Sequence, residues 1–267
     1  MIVDFHSHTF ESDGTLSPAE LCDAMRKRGV AVFSITDHDT LAAYDGLAAP
    51  SGARVIVGIE VNTTYRGNEV HLLGFRVRRD DVRFNRLLEH NQQARRERIA
   101  RTVEQLQAAG YAITLEQVLA EAGTGKSLGR PHVGKALIRH GHTPDIETAF
   151  RILLRRGKPG YVASTHLTPH EAIAGINDAG GLAVLAHPGR LHDYAIIDEL
   201  VPAGLRGLEV FYPTHEASQI ALFREKARCL GLVMSGGSDF HDSRYHKRGV
   251  GVEVEAEDIK PFLDAVS

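Results

Sequence analysis

The sequence predicts an α/β barrel carrying a helical insertion, on three observations. Short apolar runs alternate with helical periodicity at both ends of the chain, which favours a mostly parallel sheet. Eight such runs can be counted, enough for a closed or nearly closed barrel. Between Asp80 and Gly160 the alternation stops and only helical patterns remain. A chain of 267 residues fits one large barrel with such an addition.

Ile2–Phe5 reads as the first strand. Ser17-Pro18-Ala19-Glu20 is a capping box with proline at the first helical position, and Gly29 ends the helix it opens. Ala31–Thr36 is a buried strand, with a short helical stretch from Thr40. Arg54–Thr63 and Glu69–Val77 are strands joined through Arg66-Gly67-Asn68 in a hairpin-like turn. Helical patterns follow at 81–110, 114–122, 130–140 and 145–156. Thr168-Pro169-His170-Glu171 repeats the capping box. Leu182–Ala186, Leu205–Tyr212, Leu232–Ser235 and Gly249–Val254 complete the strands, with helices through Leu200 and Leu230 and a last one near Pro261. The division expected is a barrel of residues 1–77 and 161–267, with 78–160 as an insertion forming part of the substrate pocket.

Composition excludes some classes. No run approaches the roughly 18 apolar residues that span a bilayer, and no basic stretch precedes Ile2. A soluble, cytoplasmic protein with no membrane contact and no evident stable protein partner is expected. Cys22 and Cys229 both fall in helical patterns and give no disulfide framework. The net charge of −3 hides an asymmetry: residues 78–160 hold 16 Lys and Arg against 9 Asp and Glu, and the remainder 15 against 25. An acidic body suits cations and a basic segment suits an anionic substrate, although most of these arginines read as solvated helix faces.

The histidines gather where strands end. Asp4-Phe5-His6-Ser7-His8 follows the first strand and Asp37-His38-Asp39 the second; Glu60 is late in the third and His71 within the fourth. Ala186-His187-Pro188-Gly189 and Gly237-Ser238-Asp239-Phe240-His241 follow later ones. Strand ends converge on one face of a barrel, and residues i and i+2 of extended chain point the same way. One strand-end histidine would be ordinary; six such positions with interleaved carboxylates and no thiolate indicate a site for Mn, Fe or Zn. His90, His140, His142, His166, His170, His192 and His246 read as structural or solvent-facing. Gly123–Ser127 lacks the spacing and the preceding strand of a P-loop.

In these motifs, together with Gly58-Ile59-Glu60 and His71-Leu72-Leu73-Gly74, the sequence resembles the polymerase and histidinol phosphatase (PHP) superfamily of phosphoesterases. The resemblance implies a distorted seven-stranded β/α (TIM-like) barrel with three divalent metals, manganese first and iron or zinc as options. It assigns His6, His8, Glu60 and Asp239 to one ion, Glu60 as a bridge with His71 and His187 to a second, and Asp13, His38 and His241 to the third. Asp13 is assigned with Glu11 close by. A metal-bridging hydroxide held by Glu60, Asp239 and His187 would attack phosphorus. Gly129-Arg130-Pro131-His132-Val133 is similar to a segment in a subgroup of nucleotide phosphatases and 5′-to-3′ exoribonucleases. That likeness implies hydrolysis of the 3′-phosphate of nucleoside 3′,5′-bisphosphates, with short 5′-phosphorylated RNA as a further substrate. Arg130 and His132 at a helix N-terminus suit a phosphate, against the plainer reading that Arg130 pairs with a carboxylate and His132 caps its helix. His215, after Phe211-Tyr212-Pro213, is another candidate phosphate contact, against a plain surface role. The rivals are a histidinol-phosphate phosphatase, a non-catalytic metal-binding module and an amidohydrolase cleaving C–N bonds.

Overall fold

Seven strands follow one another around the sheet in chain order: β1 (Ile2–Asp4), β2 (Val32–Ile35), β3 (Arg54–Tyr65), β4 (Asn68–Phe75), β5 (Leu182–Leu185), β6 (Gly207–Phe211) and β7 (Val233–Gly236). They belong to a computed structural model that describes residues 1–48, 52–244 and 248–267; His246 lies outside the described residues. β4 runs antiparallel to both β3 and β5, and the other neighbours in the ring are parallel.

The ring closes above β1 and β7. Phe5 N–H donates to Gly236 O (2.9 Å), Asp239 N–H to His6 O (2.7 Å) and His8 N–H to Phe240 O (2.9 Å). This closure brings the His6–His8 segment against the Asp239–His241 segment. Gly237 permits it: a Cβ there would stand 2.3 Å from the Cβ of His6. The implied count of seven describes the ring, but the sheet has an eighth strand, β8 (Val252–Glu253), antiparallel on β1. It is shorter than the run read at 249–254 because Gly249 and Gly251 take positive φ (68° and 88°), which breaks extended backbone.

Helix α1 (Pro18–Arg28) starts at the Ser17–Glu20 capping box and stops at left-handed Gly29. In the helical segment, α2 (Val82–Ala108), α3 (Leu115–Ala122) and α4 (Arg130–Arg139) fall where the periodicity places them. The pattern at 145–156 divides into α5 (Ile146–Ala149) and a π-helical turn, Phe150–Leu154. The wider turn, closed by Arg155 N–H to Phe150 O, brings Ala149, Leu153 and Leu154 together into one core. Helices α6 (Pro169–Asp178), α7 (Ala195–Leu200), α8 (Ala217–Leu230) and α9 (Ala256–Ala265) cover the barrel.

The described residues form two hydrophobic interiors. The larger lies around the barrel, where Phe5, Phe75 and Phe262 pack ring to ring. The smaller is built entirely from residues between Ile99 and Leu154. Helix α2 joins them: Phe84 and Leu88 belong to the first and Ile99, Val103 and Leu106 to the second. Among the described residues no helix is long and apolar enough to cross a membrane.

Candidate metal centre

Each strand end delivers its side chains by a local device. His6 and His8 follow β1 on either side of Ser7, which bridges Phe240, and are both fully buried. Asp4, just before them, accepts from Ser238 N–H (2.9 Å), Ser238 Oγ–H (2.6 Å) and Gly251 N–H (2.7 Å), tying β1 to the chain after β7. Burial pushes its carboxyl up to about 6. Asp37 holds the His8–Asp13 loop by accepting from Thr9 N–H (2.7 Å). Asp39, His187 and Asp239 all have positive φ (53°, 28° and 52°). Such backbone costs roughly 1–3 kcal/mol per non-glycine residue and clusters at functional sites.

Among the described residues, three groups of ligand atoms result. His6, His8, Glu60 and Asp239 form one, His8, Asp13, His38 and His241 a second, and His38, Glu60 and His71 a third. Glu60 is the hub. Its Oε2 lies 3.2 Å from His6 Nε2, 3.2 Å from His8 Nε2 and 3.0 Å from His38 Nδ1. Its Oε1 lies 2.8 Å from His71 Nδ1 and 3.2 Å from His187 Nε2. Asp13 Oδ1 lies 3.2 Å from His241 Nε2, and Asp13 Oδ2 lies 3.8 Å from His38 Nε2. Thus all nine residues expected as ligands meet in one place, with His38 standing between two of the groups.

The donor set fits divalent cations. His6 Nε2, both ring nitrogens of His8, His38 Nδ1 and Glu60 Oε2 are buried without a hydrogen-bond partner among the described residues. Buried polar atoms are rarely left so, and here they point at one another's lone pairs. Imidazole and carboxylate without thiolate suit Mn, Fe or Zn. Burial opposes charge on Glu60, but His38, His6 and His71 hold its carboxyl well below the usual range. Burial likewise opposes charge on Asp239, and His6 and His241 hold it low. A second layer orients the imidazoles. His6 Nδ1 faces both oxygens of Glu209 (3.0 and 3.2 Å), which leaves Nε2 for the centre. Glu209 also accepts from His187 N–H (2.7 Å) and so supports two expected ligands from one β6 position.

Beside this centre is a cavity of about 180 Å³ that the arginines of α2, α4 and the 188–190 turn reach. Arg98 and Arg130 share Glu69, at 2.6 and 2.7 Å. Arg95 Nε bonds Asp39 Oδ2 (2.7 Å) and its Nη1 bonds Leu128 O (3.0 Å). Arg190 lies 3.5 Å from Asp239 Oδ2 and 3.3 Å from the Tyr212 hydroxyl. Arg130 therefore does pair with a carboxylate, and it lines the cavity as well. Burial pushes the Glu69 carboxyl up, but Arg130 and Arg98 hold it well below the carboxylate range.

His132 caps α4: its Nδ1 accepts from Gly129 N–H (3.0 Å). His215 does not face the cavity. Its Nδ1 donates to Val210 O (2.9 Å) and its Nε2 accepts from Gly189 N–H (3.1 Å), so the ring braces the turn after His187 and both nitrogens are engaged. Arg95, Arg98, Arg190 and Glu209 escaped sequence reading. Glu209 left one signal, a carboxylate inside the apolar strand Gly207–Phe211.

Burial lowers His132 from an ordinary 6.5 to about 4. Between these values the unfolded chain takes up a proton that the folded chain refuses, so stability falls as pH drops through this window. The loss is about 3 kcal/mol at about 1.4 kcal/mol per pKa unit. His132→Gln keeps a side-chain acceptor at this capping position and does not titrate. Chemical denaturation in chelator from pH 7 to pH 4 is expected to show a shallower loss for the variant. Parallel curves would contradict a buried neutral imidazole.

The PHP domain matches residues 4–163. A 3′,5′-nucleoside bisphosphate phosphatase of Chromobacterium violaceum is 33% identical over 97% of this chain and 93% of its own. A phosphoribosyl 1,2-cyclic phosphate 1,2-diphosphodiesterase of Eggerthella lenta is 32% identical over 96% and 100%. The 5′-3′ exoribonuclease Rnm of Escherichia coli is 32% identical over 90% and 85%. Among solved structures, that of an amidohydrolase from Chromobacterium violaceum, with bound sulfate and no metal, superposes with a TM-score of 0.90 at 30% identity. It covers 99% of this chain and 96% of that one.

Proposed function

The chain belongs to the PHP domain family, a metal-dependent phosphoesterase by its relatives and its ligand clusters, and from that premise we propose that it removes the 3′-phosphate of nucleoside 3′,5′-bisphosphates. Short 5′-phosphorylated RNA is an extended form of the same substrate. One observation carries the reading: an arginine-lined cavity opens directly onto the histidine–carboxylate centre. The reacting phosphoryl group belongs at the centre and the 5′-phosphate among Arg95, Arg98 and Arg130.

We assign three ions to the three ligand groups, manganese first and iron or zinc next, with His187 completing the group around Glu60 Oε1. Bound divalent ions lower the pKa of water and neutralise phosphoryl charge. The chain's own groups do the rest. Glu60, Asp239 and His187 line the side from which water attacks phosphorus. Arg130 and Arg98 bind the remote phosphate by charge-assisted forks, and His132 fixes the helix end that presents Arg130. His215 keeps the 188–190 turn in place.

A histidinol phosphate carries one phosphate and leaves the arginines beyond the centre without an anion. An amide substrate leaves more of them so. A purely structural metal module has no use for the cavity. The test is a panel of nucleoside 3′,5′-bisphosphates, short 5′-phosphorylated RNA, phosphoribosyl 1,2-cyclic phosphate, histidinol phosphate and an amide, each assayed with Mn, Fe and Zn. The bisphosphates are expected to give the highest kcat/KM. A preference for any of the last three would overturn the assignment.

A further inference from the structure

Residues 148–165 contain four cations and no carboxylate. Arg151, Arg155, Arg156 and Lys158 are exposed, and no ion pair engages them among the described residues. Elsewhere on this segment some arginines find acids, Arg139 with Glu121 and Arg98 and Arg130 with Glu69, while Arg83, Arg86, Arg96 and Arg101 of α2 make no ion pair among the described residues.

The position of the loop sets it apart from an ordinary solvated helix face. One of its ends lines the cavity at the metal centre and the other bonds an arginine that does. Phe150 lines that cavity, and Val162 O accepts from Arg98 Nε (2.9 Å). Arg156 Nη1 donates to Asn68 Oδ1 (3.3 Å) at the tip of the β3–β4 hairpin. Asn68 and Glu69 in turn line a second cavity of about 250 Å³, which shares Glu69 and Arg190 with the first. A route thus leads from the centre, over Glu69 and Arg190, into the second cavity and on to the basic loop.

Resting on the phosphoesterase reading above, we propose that the 155–158 loop is a docking surface for single-stranded polynucleotide. The nucleotide following the scissile phosphate occupies the second cavity, and later phosphates lie against Arg155, Arg156 and Lys158. Each cation that neutralises a phosphate adds about 0.7 to the slope of log affinity against log salt for a single strand. Three of them account for a slope of about 2. A mononucleotide reaches none of them.

The experiment uses the triple variant Arg155→Gln, Arg156→Gln, Lys158→Gln and the wild-type chain. Binding of a fluorescent 5′-phosphorylated ten-nucleotide RNA is followed by anisotropy in chelator over a range of salt, beside the kinetics of a nucleoside 3′,5′-bisphosphate in metal. The variant is expected to lose about 2 from the salt slope and to bind the RNA about tenfold or more weakly near 0.1 M salt, with bisphosphate kcat/KM unchanged. An unaltered slope would overturn the proposal, as would equal losses on RNA and bisphosphate or displacement of the RNA by polyglutamate of equal charge. Absence of bisphosphate hydrolysis in the wild-type chain would instead count against the proposed function, because RNA binding in chelator is read independently of turnover.

Discussion

Glu60→Gln is expected to lower phosphoester hydrolysis by about three orders of magnitude, the several kcal/mol of charge stabilisation that metal ions supply at roughly 1.4 kcal/mol per tenfold. The substitution preserves shape and removes charge at the one carboxylate that faces five imidazoles, those of His6, His8, His38, His71 and His187. A carboxylate offers two acceptor oxygens to cations; an amide offers one, with two N–H donors where lone pairs are wanted. Metal content by elemental analysis should fall together with turnover, because two of the three ligand groups contain Glu60. Circular dichroism in chelator separates this from misfolding. A variant with wild-type rate and full metal would show that the cluster is not where hydrolysis happens.

Arg130→Ala is expected to reduce kcat/KM for a nucleoside 3′,5′-bisphosphate by about ten- to a hundredfold, the 1.5–3 kcal/mol typical of a hydrogen bond to a charged group. The effect has two parts. A fork to the remote phosphate is lost, and Glu69 keeps only Arg98 of its two guanidinium partners, so more of its negative charge faces the incoming anion. p-Nitrophenyl phosphate has no second phosphate and should lose no more than a few-fold. Measuring both substrates on one preparation decides the matter, since equal losses would mean that Arg130 supports the site as a whole and recognises nothing.

The residues that gather around Glu60 were legible because their signal is local. A histidine two residues from another, just past an apolar strand, shows both its chemistry and its place, and barrel topology does the gathering. The arginines of α2 were not. Arg95 and Arg98 lie in a 27-residue helix that also carries Arg83, Arg86, Arg96 and Arg101, and nothing in its periodicity tells a guanidinium over a cavity from one in water. The difference is made by Asp39 and Glu69, which meet α2 only after folding. His215 illustrates the opposite case. A histidine soon after a strand looked like a ligand for phosphate, but Gly189 and Val210 use both of its nitrogens. The sequence does not record that Gly189 comes so near that a Cβ there would lie 2.5 Å from the ring. The break in the last strand at Gly249 and Gly251 follows from backbone angles that glycine permits but does not announce.

That the chain has two separate interiors bears on how it could change over generations. Under the proposed function, mutations that reshape the smaller one act on the arginine-lined cavity, through Arg98 and Arg130, before they act on the ligand cluster. Selectivity and reactivity are then coupled through the long helix that has a foot in each and through the Arg130–Glu69 pair.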